Sequence, residues 1–102
     1  MPKSIAAPHP GETIREDILE PLGMSVNQLA KALGITAARL NEIARGRRGI
    51  TADTALRLAR YLGNSPQFWM GLQAEYDLRV AKAEKLKAIE RSVKPRSTET
   101  AA

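Results

Sequence analysis

Apolar residues return every three or four positions along most of the chain, and glycines, prolines and small hydroxylated residues divide that rhythm into five segments. The first opens at His9-Pro10-Gly11-Glu12, with Pro10 tolerated in a first helical turn and Glu12, Glu16 and Asp17 near its positive end. Ile14, Ile18 and Leu22 mark its apolar face, and Pro21 and Gly23 are expected to close it. Ser25 caps a second helix built on Val26, Leu29, Ala30 and Leu33, which Gly34 ends. Thr36 caps a third, with Leu40 and Ile43 on one side. Thr51 caps a fourth, in which Asp53 occupies the first turn, Ala55, Leu56, Leu58, Ala59 and Leu62 come after it, and Gly63 is the stop. Ser65-Pro66 starts a fifth. Its residues Trp69, Leu72, Tyr76, Val80 and Ala83 form one stripe, and Leu86, Ile89 and Val93 continue on a shifted one. Read as helix to about Glu90, this last segment spans roughly 37 Å. No window alternates apolar and polar residues as a strand does, so the predicted class is all-α.

The spacing over residues 25–45 is the most informative. Ala30 provides the small side chain that two steeply crossing helices need, and Gly34 falls in the short turn between them, as in a helix-turn-helix. With Leu40 and Ile43 facing inward, Ala37, Ala38, Asn41 and Arg45 are left on the outer face of the second motif helix. An ordinary helical hairpin with a solvated outer face has the same outline, so the charge distribution carries weight. The first twenty residues are net −2, residues 21–63 net +5 and the remainder net +2. The positive excess coincides with the proposed reading unit, as attraction to phosphate requires. Double-stranded DNA is therefore the expected partner. Arg45, Arg47 and Arg48 lie around Gly46 on a tight loop just after the reading helix, where phosphate contact is expected. Asn41 is the candidate base reader, and Thr36 and Thr51 combine capping with proximity to the backbone. Arg39 is divided between DNA and an internal salt bridge with Glu42 or Asp53. Asn27 and Gln28, on the first motif helix, complete the candidate DNA-binding set.

At 102 residues the chain suits one small domain that oligomerisation would help stabilise. It contains no cysteine and a single histidine, so a metal site is not expected, nor is any cofactor. The acidic group Glu12, Glu16, Asp17 and Glu20 lacks an accompanying nucleophile and base, so catalysis is not expected either. Neither a signal peptide nor a run of about 18 apolar residues is present, which favours a cytoplasmic location without membrane contact. Phe68, Trp69, Leu72 and Tyr76 are assigned to core or dimer-interface packing rather than to a base-stacking platform. Residues 1–8 are expected to form a flexible arm, and 9–80 the helix-turn-helix domain with the start of a dimerisation helix. Residues 81–102 are expected to form a helical extension ending in a disordered tail from Pro95.

From His9 to Leu78 the chain resembles the HigA (VapI-type) antitoxins of the XRE, or Cro/phage-repressor-like, class. The most specific blocks are HPGE, RGRRGITADTALRLARYLG and SPQFWMGLQAEYDL. The resemblance implies a five-helix lambda-repressor-like DNA-binding domain with an extended C-terminal helix. It implies a homodimeric repressor of a palindromic operator that also neutralises a HigB-type mRNA endonuclease toxin. It places Thr36, Ala37, Ala38 and Asn41 nearest base edges, with Arg39, Arg45, Arg47 and Arg48 near bases or phosphates. Two alanines open the reading helix where glutamines or serines often stand. Alanine offers only contact with a thymine methyl, which shifts direct readout towards Asn41 and the arginines. A free-standing repressor without a toxin and a protein-only interaction module are the competing readings.

Overall fold

The computed structural model describes residues 8–96, which contain five helices and no strand. The proposed arm and tail lie largely outside this range. Helix α1 covers residues 10–22, α2 Val26–Leu33, α3 Ala37–Ala44, α4 Ala52–Leu62 and α5 Pro66–Ser92.

Local chemistry sets most boundaries. Ser25, Thr36, Thr51 and Ser65 each accept a backbone N–H from the first turn of the helix they precede, and Ser25 and Gln28 form a reciprocal capping box. Gly34 and Gly63 end α2 and α4 at φ 73° and 79°, a conformation that a side chain disfavours.

Helix α1 departs from the expected form. It passes through Pro21 and stops only at Gly23 (φ 64°). Proline has no N–H to donate, and in a regular α-helix its ring collides with the carbonyl four residues back. The turn Ile14–Leu19 is instead widened to π-helical geometry, with the Glu20 N–H reaching the Arg15 carbonyl. The extra residue in that turn rotates the rest of the helix. Leu22, expected on the buried face, is 57 % exposed, whereas Leu19 packs against the core.

The core gathers Ile14 and Ile18 from α1, Leu29 and Leu33 from α2, Leu40 and Ile43 from α3, Ile50, Leu58 from α4 and Trp69 from α5. Trp69 is fully enclosed and its indole N–H donates to Asn64 Oδ1 at 3.1 Å. Leu56 lies on the outer side of α4, 59 % exposed. Helix α5 has 27 residues, about 40 Å of helix. It ends two residues beyond the expected point, and every described side chain from Ala81 onward is exposed. The described chain accordingly measures 56 × 28 × 24 Å.

Candidate nucleic-acid interface

Helices α2 and α3 meet through the turn at Gly34-Ile35-Thr36, which is fastened from α4. Arg57 Nη1 donates to the carbonyls of Leu33 and Gly34 at 3.0 and 3.3 Å, satisfying acceptors that the end of α2 leaves open. The same guanidinium donates through Nε to Asp53 at 2.9 Å. Asp53 also lies 3.4 Å from Arg39, whose Nη2 donates to the buried Thr54 hydroxyl at 2.6 Å. The Arg57 hydrogen bond, reinforced by the charges of Arg57 and Arg39, holds the Asp53 carboxyl below its ordinary range. The motif is thus tied along the line Arg39, Asp53, Arg57 and the turn. Of the two internal partners considered for Arg39, Asp53 is the one observed, and Arg39 is thereby directed at α4.

The C-terminal end of the reading helix α3 is held by α1. Gly11 lies against it so closely that a methyl group there would overlap the Ile43 carbonyl oxygen. Arg15 donates a hydrogen bond to the Ala44 carbonyl. Beyond Ala44 the chain turns through Gly46 (φ 76°), with the Arg47 N–H bound to the Glu42 carbonyl at 2.8 Å. Helix α5 takes hold where the loop ends: Gln73 Oε1 accepts the Ile50 N–H at 2.7 Å, and its Nε2 donates to Asp77 at 2.9 Å.

On the outward side, α3 presents Ala38 exposed and Asn41 half-buried beside exposed Glu42. Ala37 differs from expectation: it is half-buried and packs against the core, because the first turn of α3 leans onto α2. Arg45, Arg47 and Arg48 are all exposed. Arg48 is engaged with Glu42 through two nitrogens, at 2.9 and 2.8 Å. The side chains of Arg45 and Arg47 have no hydrogen-bond or ion-pair partner among the described residues. Thr36 and Thr51 are exposed caps at the starts of α3 and α4. Asn27 is exposed, and Gln28 commits its Oε1 to the Ser25 N–H at 2.9 Å.

A helix-turn-helix family model, HTH_3, matches residues 16–69. Virulence-associated protein I of Dichelobacter nodosus is 54% identical over 77 residues, 76% of this chain and 71% of that protein. An addiction module antidote protein of a HigA family from Coxiella burnetii superposes with a TM-score of 0.85 at 46% identity, over 90% of this chain and 100% of that one. The chain belongs to the HigA helix-turn-helix family. The Pseudomonas aeruginosa antitoxin HigA, solved with the higBA promoter, is also similar, with a TM-score of 0.85 and 46% identity over 87% of this chain and 97% of that one.

In this HigA-family chain the four aromatic and apolar residues expected at an interface separate by burial. Trp69 leaves that set, because a side chain fully enclosed in its own protomer has no surface to offer a second copy. Leu72 is half-buried against the core. Phe68 is 45 % exposed and meets the edge of Trp69 at 5.1 Å. Tyr76 is half-buried, with Arg79 5.2 Å above its ring. The scaffold residues Gly11, Arg15, Arg57 and Gln73 have no single-residue signature that assigns them to a reading helix. Only the Asp53 to Arg57 spacing of one helical turn hints at such a role. Among the described residues no group of acidic or histidine side chains is arranged to hold a metal, and no helix is long and apolar enough to cross a membrane.

Proposed function

We propose that this chain is the antitoxin of a type II toxin–antitoxin system, binding operator DNA as a homodimer to repress its own operon and neutralising a HigB-type mRNA endonuclease. The observation that carries the DNA reading is the outward pair Arg45 and Arg47 beside Ala38 and Asn41 on the reading helix. The likeness to an antitoxin solved with its promoter supports it from outside the chain. In this reading α3 enters the major groove. Asn41 pairs with a base edge, Ala38 meets a thymine methyl, and Arg45, Arg47 and Arg48 reach phosphates or guanine. Arg39 acts indirectly, by fixing α3 on α4. Thr36, Thr51, Asn27 and Gln28 border the same face and supply backbone contacts. Residues 9–80 form the reading body, and the exposed apolar residues of α5, Leu78, Leu86 and Ile89 among them, serve the partner side. The role is regulatory rather than catalytic, and cytoplasmic.

A two-fold dimer of this kind spaces its reading helices by roughly 34 Å to meet successive major grooves. If it neutralises about six to ten phosphates, promoter affinity falls by roughly 10³ to 10⁵ between 50 and 200 mM salt. Salt-insensitive binding, or none, to the chain's own promoter removes the repressor reading. Co-expression with the neighbouring small open reading frame, followed by co-purification and growth rescue, tests the toxin half. Promoter binding without rescue would leave a free-standing repressor.

A further inference from the structure

His9 does more than begin a helix. Its Nδ1 accepts the Gly11 N–H at 2.9 Å, the task of an N-cap. The other four helices accomplish that with a serine or threonine hydroxyl, so capping alone gives no reason for an imidazole. The ring has three further neighbours. It stands edge-on to Tyr76 of α5, with centroids 4.8 Å apart at 78°. A Cβ on Gly46 would come 3.7 Å from its Cγ, ordinary packing distance, so the ring lines the inside of the arginine loop. The backbone of Arg48 is also near enough to act electrostatically on the ring. Since Nδ1 is occupied as an acceptor, the neutral ring carries its proton on Nε2.

We infer that His9 is the positioning residue of the arginine loop: wedged between α1, α5 and residues 46–48, it holds the backbone course from which Arg45, Arg47 and Arg48 are presented to phosphate. The inference rests on the DNA-binding reading above. Gln73 secures the far end of the same loop at Ile50, and Arg15 secures its near end at Ala44. His9 is the contact between those two anchors. A loop fixed at both ends and in the middle presents its guanidinium groups with less backbone entropy to lose on binding.

His9→Asn separates this role from capping. Asparagine is a preferred N-cap, so the Gly11 bond is retained while the ring contacts to Tyr76 and Gly46 are lost. The expected result is a thermal midpoint close to wild type, faster amide exchange at residues 46–48 without loss of protection in α1, and operator affinity reduced about five-fold per protomer. In an Arg47→Ala/Arg48→Ala background the same substitution should add a clearly smaller loss, because only Arg45 is then left to transmit its effect. Unchanged loop exchange in His9→Asn overturns the positioning role, as does an affinity loss that persists undiminished in the double-alanine background. The exchange measurement is made without DNA. Failure of the wild-type chain to bind its promoter would therefore identify itself as failure of the DNA reading.

Discussion

Replacing Arg47 with alanine tests the phosphate contact proposed for it. The side chain is exposed and has no partner among the described residues, so its removal breaks no internal bond. The loop conformation depends on the Arg47 amide, which alanine keeps. Stability should consequently stay within about 0.5 kcal/mol of wild type. Binding should change in a characteristic way. Each neutralised phosphate contributes a slope of about −0.9 to log K against log salt, and a two-fold dimer loses two contacts, so the slope should become shallower by about 1.8. Over a four-fold change in salt that amounts to a factor of about 12: the wild type's advantage should be about twelve times greater at 50 mM than at 200 mM salt. Fluorescence anisotropy with a labelled promoter duplex at several salt concentrations measures this directly. Arg47→Lys retains the charge and should keep the slope. If Arg47→Ala weakens binding with the slope unaltered, Arg47 does not neutralise phosphate and the proposed orientation of the loop is wrong.

Glu42→Gln releases Arg48 from an exposed ion pair and removes a negative charge from the reading face; operator affinity should rise by up to about five-fold per protomer, and a fall would show that the pair is needed to aim Arg48. Gly11→Ala places a methyl on the Ile43 carbonyl and should destabilise the fold by about 1–3 kcal/mol in chemical denaturation; an unchanged midpoint would mean that α1 and α3 are less closely apposed than described. Asn41→Ala should relax preference at one operator base pair by about 1–3 kcal/mol, read by competition with single-substituted duplexes, and an unaltered preference profile would exclude Asn41 as a reader. Burial holds the His9 pKa below its ordinary value, as does the Arg15 charge, against the opposing effects of the Arg48 backbone and the Asp77 charge. The unfolded chain therefore takes up the proton first as pH falls, so the stability His9 contributes is complete above about pH 6.5 and declines as pH drops through the depressed folded value. Thermal midpoints of wild type and His9→Asn should diverge from each other in that window, and parallel pH profiles would refute the linkage.

Features decided within one helical turn were legible in the sequence. The caps Ser25, Thr36, Thr51 and Ser65 and the stops Gly34 and Gly63 each satisfy or spare a backbone group a few residues away, so the residue type names the task. Features decided between elements were not. Pro21 reads as a terminator, yet the chain answers it upstream by widening the turn Ile14–Leu19, and that adjustment turns Leu22 outward. The stripe through Trp69 is equally consistent with core and interface; what decides is the surrounding core, to which all the other helices contribute. Ala37 belongs to the outer face by spacing but leans onto the core at the first turn. The grip of Gln73 on Ile50 spans 23 residues, and no local pattern encodes it.

The positive charge that first marked residues 21–63 is also divided in a way that composition does not reveal. Arg39 and Arg57 are spent on the scaffold, and Arg48 is shared with Glu42. Arg45 and Arg47 remain at the loop, and their location raises an electrostatic difficulty. They come directly after the C-terminus of α3, where unsatisfied carbonyls carry the negative end of the helix dipole and repel phosphate. Arg15 answers this from the inner side. By donating to the Ala44 carbonyl it brings a cation to the negative end without occupying the DNA-facing surface. Arg45 and Arg47 then remain exposed for the phosphate contacts proposed above. One consequence is that the acidic-looking first helix, net negative over the opening twenty residues, supplies through Arg15 a cation at the end of the reading helix. The basic character of this interface is therefore a property of α1 and the loop together, which the charge count of the motif alone would assign to the loop.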